Sequence, residues 1–173
     1  MKMIVTCVQS DVIWHNKPAN FAKVRSLLAR AAAPPPGGLI VLPEMFATGF
    51  SMDLAATAEA PADASAPSAE AFLAELASDY RCWTLGGVTT LGPDGRGLNE
   101  AVLAGPDGRI AARYAKMHPF TPAGEPEHFA AGPGPVVVDF PPDAPAGGSV
   151  KISPFICYDL RFPEAFRQAD LVD

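Results

Sequence analysis

The 173-residue sequence predicts a mixed α/β fold built on a sheet covered on its faces. Three observations carry this reading. The chain opens on a short β-branched run, continues through a segment with helical apolar spacing, and returns as a wholly apolar run, which is the order of a βαβ unit. Further apolar runs follow between Asp-Gly turn signals, as strands joined by tight turns do. Hydrophobic residues make up 49% of the chain and charged residues 18%, ample for a buried core and incompatible with global disorder. On length, residues 1–173 are one domain or a piece of one.

The elements follow in order. Residues 3–9 (MIVTCVQ) have the character of a buried strand. From about residue 18 to 33, Phe21, Val24, Leu28 and Ala31 recur at helical spacing, with Lys23, Arg25 and Arg30 mostly off that stripe. Pro34-Pro35-Pro36-Gly37-Gly38 stops this helix. Residues 39–42 (LIVL) form the second strand, ended by Pro43. Residues 53–69, rich in Ala, Pro, Ser and Asp, are expected to be a surface loop, since patterned elements resume directly after them. Phe72, Leu73, Leu76 and Tyr80 predict a helix over 68–81. A strand follows over 82–90, with Gly86-Gly87 as a bulge. Residues 98–105 and 109–116 read as antiparallel strands, with Asp94-Gly95 and Asp107-Gly108 as their turns. Residues 117–135 are a long loop without period, the kind that is functional or disordered. Residues 136–140, a Pro/Gly-rich turn and residues 150–157 give two more strands, and a last helix begins at Pro163. No internal repeat is visible.

Charge and cysteine usage exclude several function classes. The net charge is −6 and no basic stripe appears, which argues against a nucleic-acid partner. No apolar run approaches the roughly 20 residues of a membrane helix. The first residues, interrupted by Thr6, Gln9, Ser10 and Asp11, do not read as a signal peptide. Cys7, Cys82 and Cys157 are odd in number and far apart, so neither a disulfide framework nor a zinc pattern is present, and no metal or cofactor is expected. The expectation is an acidic, soluble, cytoplasmic protein with reduced thiols. Cys7 and Cys82 lie inside strand patterns and are expected in the core.

Three polar residues stand at the ends of apolar strands: Glu44 after LIVLP, Lys116 after RIAARYA and Cys157 after VKISPFI. Side chains at the carboxyl ends of strands in a covered sheet converge on a ligand crevice. A carboxylate that takes a thiol proton, a thiolate that attacks a carbonyl carbon and an ammonium that stabilises the oxyanion form a coherent set. Each residue also has a plain structural alternative: Cys157 as a buried small hydrophobe, Glu44 as a helix-start carboxylate, Lys116 as a solvated strand end. The setting of Cys157, in SPFICYDLRFPE, favours chemistry. There a strand breaks into a turn and a helix, an elbow expected to expose the thiol, lower its pKa and aim backbone N–H groups at it.

LPEMFATGF around Glu44, YAKMHPF around Lys116 and CYDLRFPE around Cys157 resemble the three signature blocks of the nitrilase (carbon–nitrogen hydrolase) superfamily, in the family's order. The resemblance spans residues 3–173. EMFATGFSM followed by CYDLRFPE is most similar to the omega-amidase branch, which hydrolyses the terminal amide of 2-oxo-dicarboxylate monoamides such as 2-oxoglutaramate. The resemblance implies an α-β-β-α sandwich. It also implies Glu44 as general base and acid, Lys116 as oxyanion stabiliser and Cys157 as nucleophile. A second glutamate in the loop after the lysine falls on Glu125, with Glu127 the weaker candidate. The Tyr158 N–H would complete the oxyanion hole. Arg161 could hold a substrate carboxylate, although pairing with a nearby acid such as Asp159 is the plainer role. His118 is left as a loop-ordering residue. The implied partner is a small-molecule amide, and a homodimer is the family's default. Another amide, or a carbamoyl amine, stays open as substrate. The chain stops at Asp173, soon after Cys157, whereas family members continue with further strands and helices. A sandwich incomplete at its C-terminal end, from a piece of a longer protein with or without catalysis of its own, is therefore expected.

Overall fold

The computed structural model describes residues 3–59, 68–140 and 149–171. Strand β1 (Val5–Cys7) leads into α1 (Lys17–Arg30), then β2 (Leu39–Val41), the helical turn α2 (Leu54–Thr57) and α3 (Ala69–Tyr80). Next come β3 (Trp83–Leu91), β4 (Gly97–Ala104) and β5 (Ile110–Ala115). A 3-10 turn (Thr121–Ala123) and the one-turn helix α4 (Glu125–His128) precede β6 (Val138–Phe140) and β7 (Val150–Ile152). A second 3-10 helix (Cys157–Arg161) and α5 (Pro163–Asp170) close the described chain. No helix among the described residues is long and apolar enough to cross a membrane.

Capping chemistry sets the two long helices. Asn16 caps α1 by accepting from the Ala19 N–H at 3.1 Å, with Pro18 in the first turn, where its missing N–H costs nothing. Ser68 caps α3 by accepting from the Ala71 N–H at 3.2 Å, and Arg81 ends that helix in the left-handed region. Between them, β1, β2 and β3 pair in parallel and β3, β4 and β5 antiparallel, giving a five-stranded sheet in sequence order. The parallel start is the predicted βαβ unit.

Alternation along the strands gives the sheet two apolar faces. On one, Ile40, Val88, Val102 and Ala104 pack against Val24 and Leu28 of α1 and Phe72, Leu73 and Leu76 of α3. On the other, Leu39, Trp83 and Leu103 pack against Phe140, Val138 and Ile152 of the β6–β7 hairpin. The described chain is thus a layer of helices, a sheet, and a second small sheet.

Several expectations are corrected. The run 3–9 is strand only at Val5–Cys7, at the sheet edge, and Cys7 is exposed rather than core. Its register opposite Val41 puts it on the hairpin face, but the hairpin covers the middle of the sheet and not β1. Cys82 is buried as expected. The stretch 53–69 contains α2, and its residues 60–67, like the turn residues 141–148, lie outside the described residues. The last predicted strand ends at Ile152, five residues before Cys157. Gly86 and Gly87 make no bulge. They pair in unbroken register with Val102 and Ala101, and the irregularity sits at Leu103/Ala104.

Close approach explains these glycines instead. A Cβ on Gly87 would lie 2.4 Å from the Met45 nitrogen and 2.7 Å from the Glu44 Cα, so the backbone carrying Glu44 rests directly on β3. Gly87→Ala is expected to lower stability by about 1–3 kcal/mol, as overpacking does, because the opposing atoms are backbone and cannot rotate away. Urea denaturation measures it, and an unchanged midpoint would contradict this contact.

Candidate active site

Strand alternation builds the floor of the site. Ala112, Tyr114 and Lys116 share one face of β5 and its continuation, opposite Leu103, Ala101 and Asn99 of β4. The Lys116 N–H extends the ladder by one bond, donating to the Asn99 carbonyl at 2.8 Å. Gly87, also on that face, leaves room for the Glu44–Met45 backbone above it. Pro43 ends β2, and the chain turns sharply with Met45 at φ 46°.

Three charges meet here. The Lys116 ammonium donates to Glu44 Oε1 at 2.8 Å and to Glu125 Oε2 at 2.8 Å. Lys116 is 1% exposed and Glu125 0%, while the Glu44 side chain keeps 19%. The Phe50 ring lies 5.4 Å from the ammonium and adds a cation–π contact. Burial works against the charged lysine, but the hydrogen bonds to Glu125 and Glu44 outweigh it and hold its pKa above the ordinary range. Lys116 stays an ammonium at any physiological pH.

Glu125 is brought in by a loop that is far from shapeless. Gly124 at φ 72° starts α4, and the Phe120 N–H donates to Glu125 Oε2. The Gly132 N–H returns to the Lys116 carbonyl at 2.8 Å, and the Arg96 guanidinium grips the carbonyls of Pro126 and Phe129 at 2.6 Å each. Glu127 is exposed and takes no part in these contacts.

Cys157 sits on the predicted elbow, the first residue of a 3-10 helix with φ 45°, a left-handed conformation that strains a residue bearing a Cβ. Asp159, fully buried, fixes this turn. It accepts from the Ile156 N–H at 3.0 Å, the Tyr114 hydroxyl at 2.6 Å and the His118 N–H at 2.9 Å, with His118 Nδ1 2.8 Å away. Burial, and then the hydrogen bond to Asp159, push the Tyr114 hydroxyl well above its usual pKa, so it remains a donor. His118 also stacks on Phe162 with centroids 3.8 Å apart. It orders the loop, as the sequence suggested.

The expected low thiol pKa is not found. Although Cys157 as a residue is exposed, desolvation of its thiol pushes the pKa up, the Glu44 carboxylate pushes the same way, and Lys116 only partly opposes them. Two carboxylates against one ammonium leave the surroundings negative, and a short 3-10 turn supplies too little dipole to reverse that.

Tyr158 is half-buried, with its ring edge-on to Phe120 at 5.0 Å and Phe162 at 5.4 Å. Its N–H lies at the start of the 3-10 helix, ahead of the first internal bond. Arg161 is exposed and makes no ion pair among the described residues, and Asp159 bonds to Tyr114 and His118 instead of Arg161. Sequence reasoning missed Asn99 and Tyr114. Asn99 did carry a signal, an amide in an otherwise apolar row with Ala101 and Leu103.

A strained cysteine beside a Glu–Lys–Glu cluster with a buried lysine, on a sheet faced by helices and a second sheet, defines the class. Residues 4–172 match the carbon–nitrogen hydrolase family, and the chain belongs to it. It is 35% identical to the omega-amidase YafV of Yersinia enterocolitica over 92% of this chain and 56% of that protein. It is 26% identical to the 2-oxoglutaramate amidase of Bacillus subtilis over 97% of this chain and 60% of that one. The structure of XC1258 from Xanthomonas campestris, a CN-hydrolase superfamily protein, superposes with a TM-score of 0.76 at 29% identity, covering 92% of this chain and 55% of that chain. The chain therefore spans little more than half the length of these relatives.

Thiol labelling tests this picture. Brief iodoacetamide treatment with peptide mapping is expected to modify exposed Cys7 and spare Cys82. Cys157 should react more slowly than free cysteine at neutral pH and accelerate as pH rises past the ordinary thiol range. Lys116→Met removes the charge that favours the thiolate and should move that acceleration to higher pH. A Cys157 rate already at its plateau at neutral pH would contradict the raised thiol.

Proposed function

We propose that this chain carries the reaction centre of an amidohydrolase that cleaves the terminal amide of a small 2-oxo-dicarboxylate monoamide, of the 2-oxoglutaramate type, to acid and ammonia. One observation carries the chemistry: a buried ammonium clamped between Glu44 and Glu125 whose charges act on the strained Cys157. The substrate class rests on the similarity to an omega-amidase and a 2-oxoglutaramate amidase.

In this reading Glu44 takes the Cys157 proton as sulfur attacks the amide carbon. The carbonyl oxygen gains the negative charge, met by the Lys116 ammonium and the Tyr158 N–H. Collapse breaks the C–N bond, Glu44 returns the proton to the departing nitrogen, and ammonia leaves a Cys157 thioester. Water, deprotonated by Glu44, attacks the thioester, and the acid departs as sulfur regains its proton. Glu125 holds Lys116 throughout, and Arg161 is the candidate for the substrate's distal carboxylate.

The test is ammonia release from 2-oxoglutaramate, from an N-carbamoyl amine and from a simple nitrile. Turnover should favour the 2-oxo-acid monoamide and vanish in Cys157→Ser. Lys116→Ala is expected to lose roughly 2.7–4 kcal/mol of transition-state stabilisation, the typical loss on removing one oxyanion donor. Glu44→Gln should bind substrate and fail to turn it over. Near-normal turnover in Glu44→Gln would show that another group is the base.

A further inference from the structure

Asn99 is 1% exposed and sits on β4 opposite Thr89 of β3, beneath the charged cluster. Its amide nitrogen donates to Glu44 Oε1 at 2.7 Å and to Glu125 Oε1 at 2.9 Å, one N–H to each carboxylate. Its own carbonyl oxygen is buried without a hydrogen-bond partner among the described residues. Two carboxylate oxygens can be met only by the NH₂ end of the amide, so the glutamates dictate this orientation and the unpaired Oδ1 is its consequence. Glu44 Oε1 thus accepts from two donors, Asn99 and Lys116. Glu44 Oε2 accepts from neither of them.

We propose that Asn99 is a positioning residue: by bridging the two glutamates it fixes Glu44 so that Oε1 is occupied and Oε2 alone receives the Cys157 proton. This rests on the amidohydrolase reading above for its catalytic consequence, but the bridge itself is a property of the resting site. Without the bridge, Glu44 can rotate about its side chain, and a misplaced base is costly because a shift of about 1 Å loses on the order of 100-fold in rate. The charged groups facing Glu44 are Lys116 from the end of β5 and Glu125 from α4, with the titratable Cys157 from the 3-10 helix. Of these only Lys116 carries the opposite charge, and Asn99 is the neutral side chain that donates to Glu44 among the described residues.

Two variants separate this role from simple space filling. Asn99→Ala removes the donor. Asn99→Asp keeps the shape but turns a donor toward two carboxylates into a third carboxylate. A packing role ranks the isosteric Asp variant above Ala, whereas the bridging role ranks it below at neutral pH. Expected for Asn99→Ala is a fall in kcat on the order of 100-fold with KM little changed.

The readout that needs no turnover is thermal melting of the two variants against pH. At neutral pH Asn99→Asp should melt below Asn99→Ala. The introduced carboxyl has a folded-state pKa raised by its neighbours, so its destabilisation is present above that pKa and fades as pH falls and it binds a proton. The gap between the variants must therefore narrow toward acid pH. An Asp variant that melts above the Ala variant at neutral pH, or a gap independent of pH, overturns the bridge. If wild type and variants alike release no ammonia, the amidohydrolase reading fails while the melting comparison still decides whether Asn99 bridges the two glutamates.

Discussion

One buried ammonium organises this molecule. Lys116 has two carboxylates at 2.8 Å and almost no contact with solvent. Breaking a buried charge pair by removing one partner costs about 3–5 kcal/mol, because the remaining charge is left uncompensated. Exposed pairs, such as Arg25 with Asp79 between α1 and α3, contribute about 0–1 kcal/mol. The difference decides which contacts constrain the backbone. The surface pairs can dissociate with little consequence. The Lys116 cluster cannot, so the turn after β2, the end of β5 and the loop bearing α4 must all arrive at one point. Gly87 is the condition for the first of these, and the Gly132 and Arg96 contacts secure the last.

The elbow of Cys157 poses a separate problem. A left-handed residue with a side chain costs on the order of 1–3 kcal/mol. Asp159 answers it with charge-assisted hydrogen bonds to Ile156, Tyr114 and His118. At about 1.5–3 kcal/mol for each bond to a charged group, even part of that set exceeds the strain. The same carboxylate reaches β5 through Tyr114 and the following loop through His118. The turn of Cys157 and the strand of Lys116 are therefore tied through one hydrogen bond, between Asp159, two positions after Cys157, and Tyr114, two positions before Lys116.

Much of this was legible in the sequence wherever a residue sat in a periodic element. The βαβ start and the antiparallel strands follow from spacing alone. Glu125 was reached by resemblance, since nothing periodic places it: Pro126 and Gly124 shape a single helical turn that no apolar stripe announces. Cys7 misled because a β-branched run says strand without saying edge, and exposure at an edge depends on how far the hairpin of another segment reaches. Gly86-Gly87 misled because a strand glycine signals either a bulge or a close approach, and only the partner backbone tells which. The thiol pKa does not follow from the elbow, because desolvation and the net charge of the neighbours decide the sign.

That net charge makes sense of the whole cluster. Glu44, Glu125 and Lys116 sum to one negative charge, and a free thiolate would add a second in a poorly solvated place. The site therefore holds a thiol with a carboxylate beside it. In the proposed reaction, passing the proton from Cys157 to Glu44 moves the negative charge to sulfur without changing the total. Attack then carries it on to the substrate oxygen. At that stage Glu44 is neutral and no longer balances Lys116. Glu125, at 2.8 Å on the other side, still does. A second, wholly buried glutamate keeps the ammonium paired while the first is protonated, so the oxyanion meets a lysine already held in place. One carboxylate could not act as the proton carrier and as the fixed counter-ion in the same step, and this division of labour accounts for two.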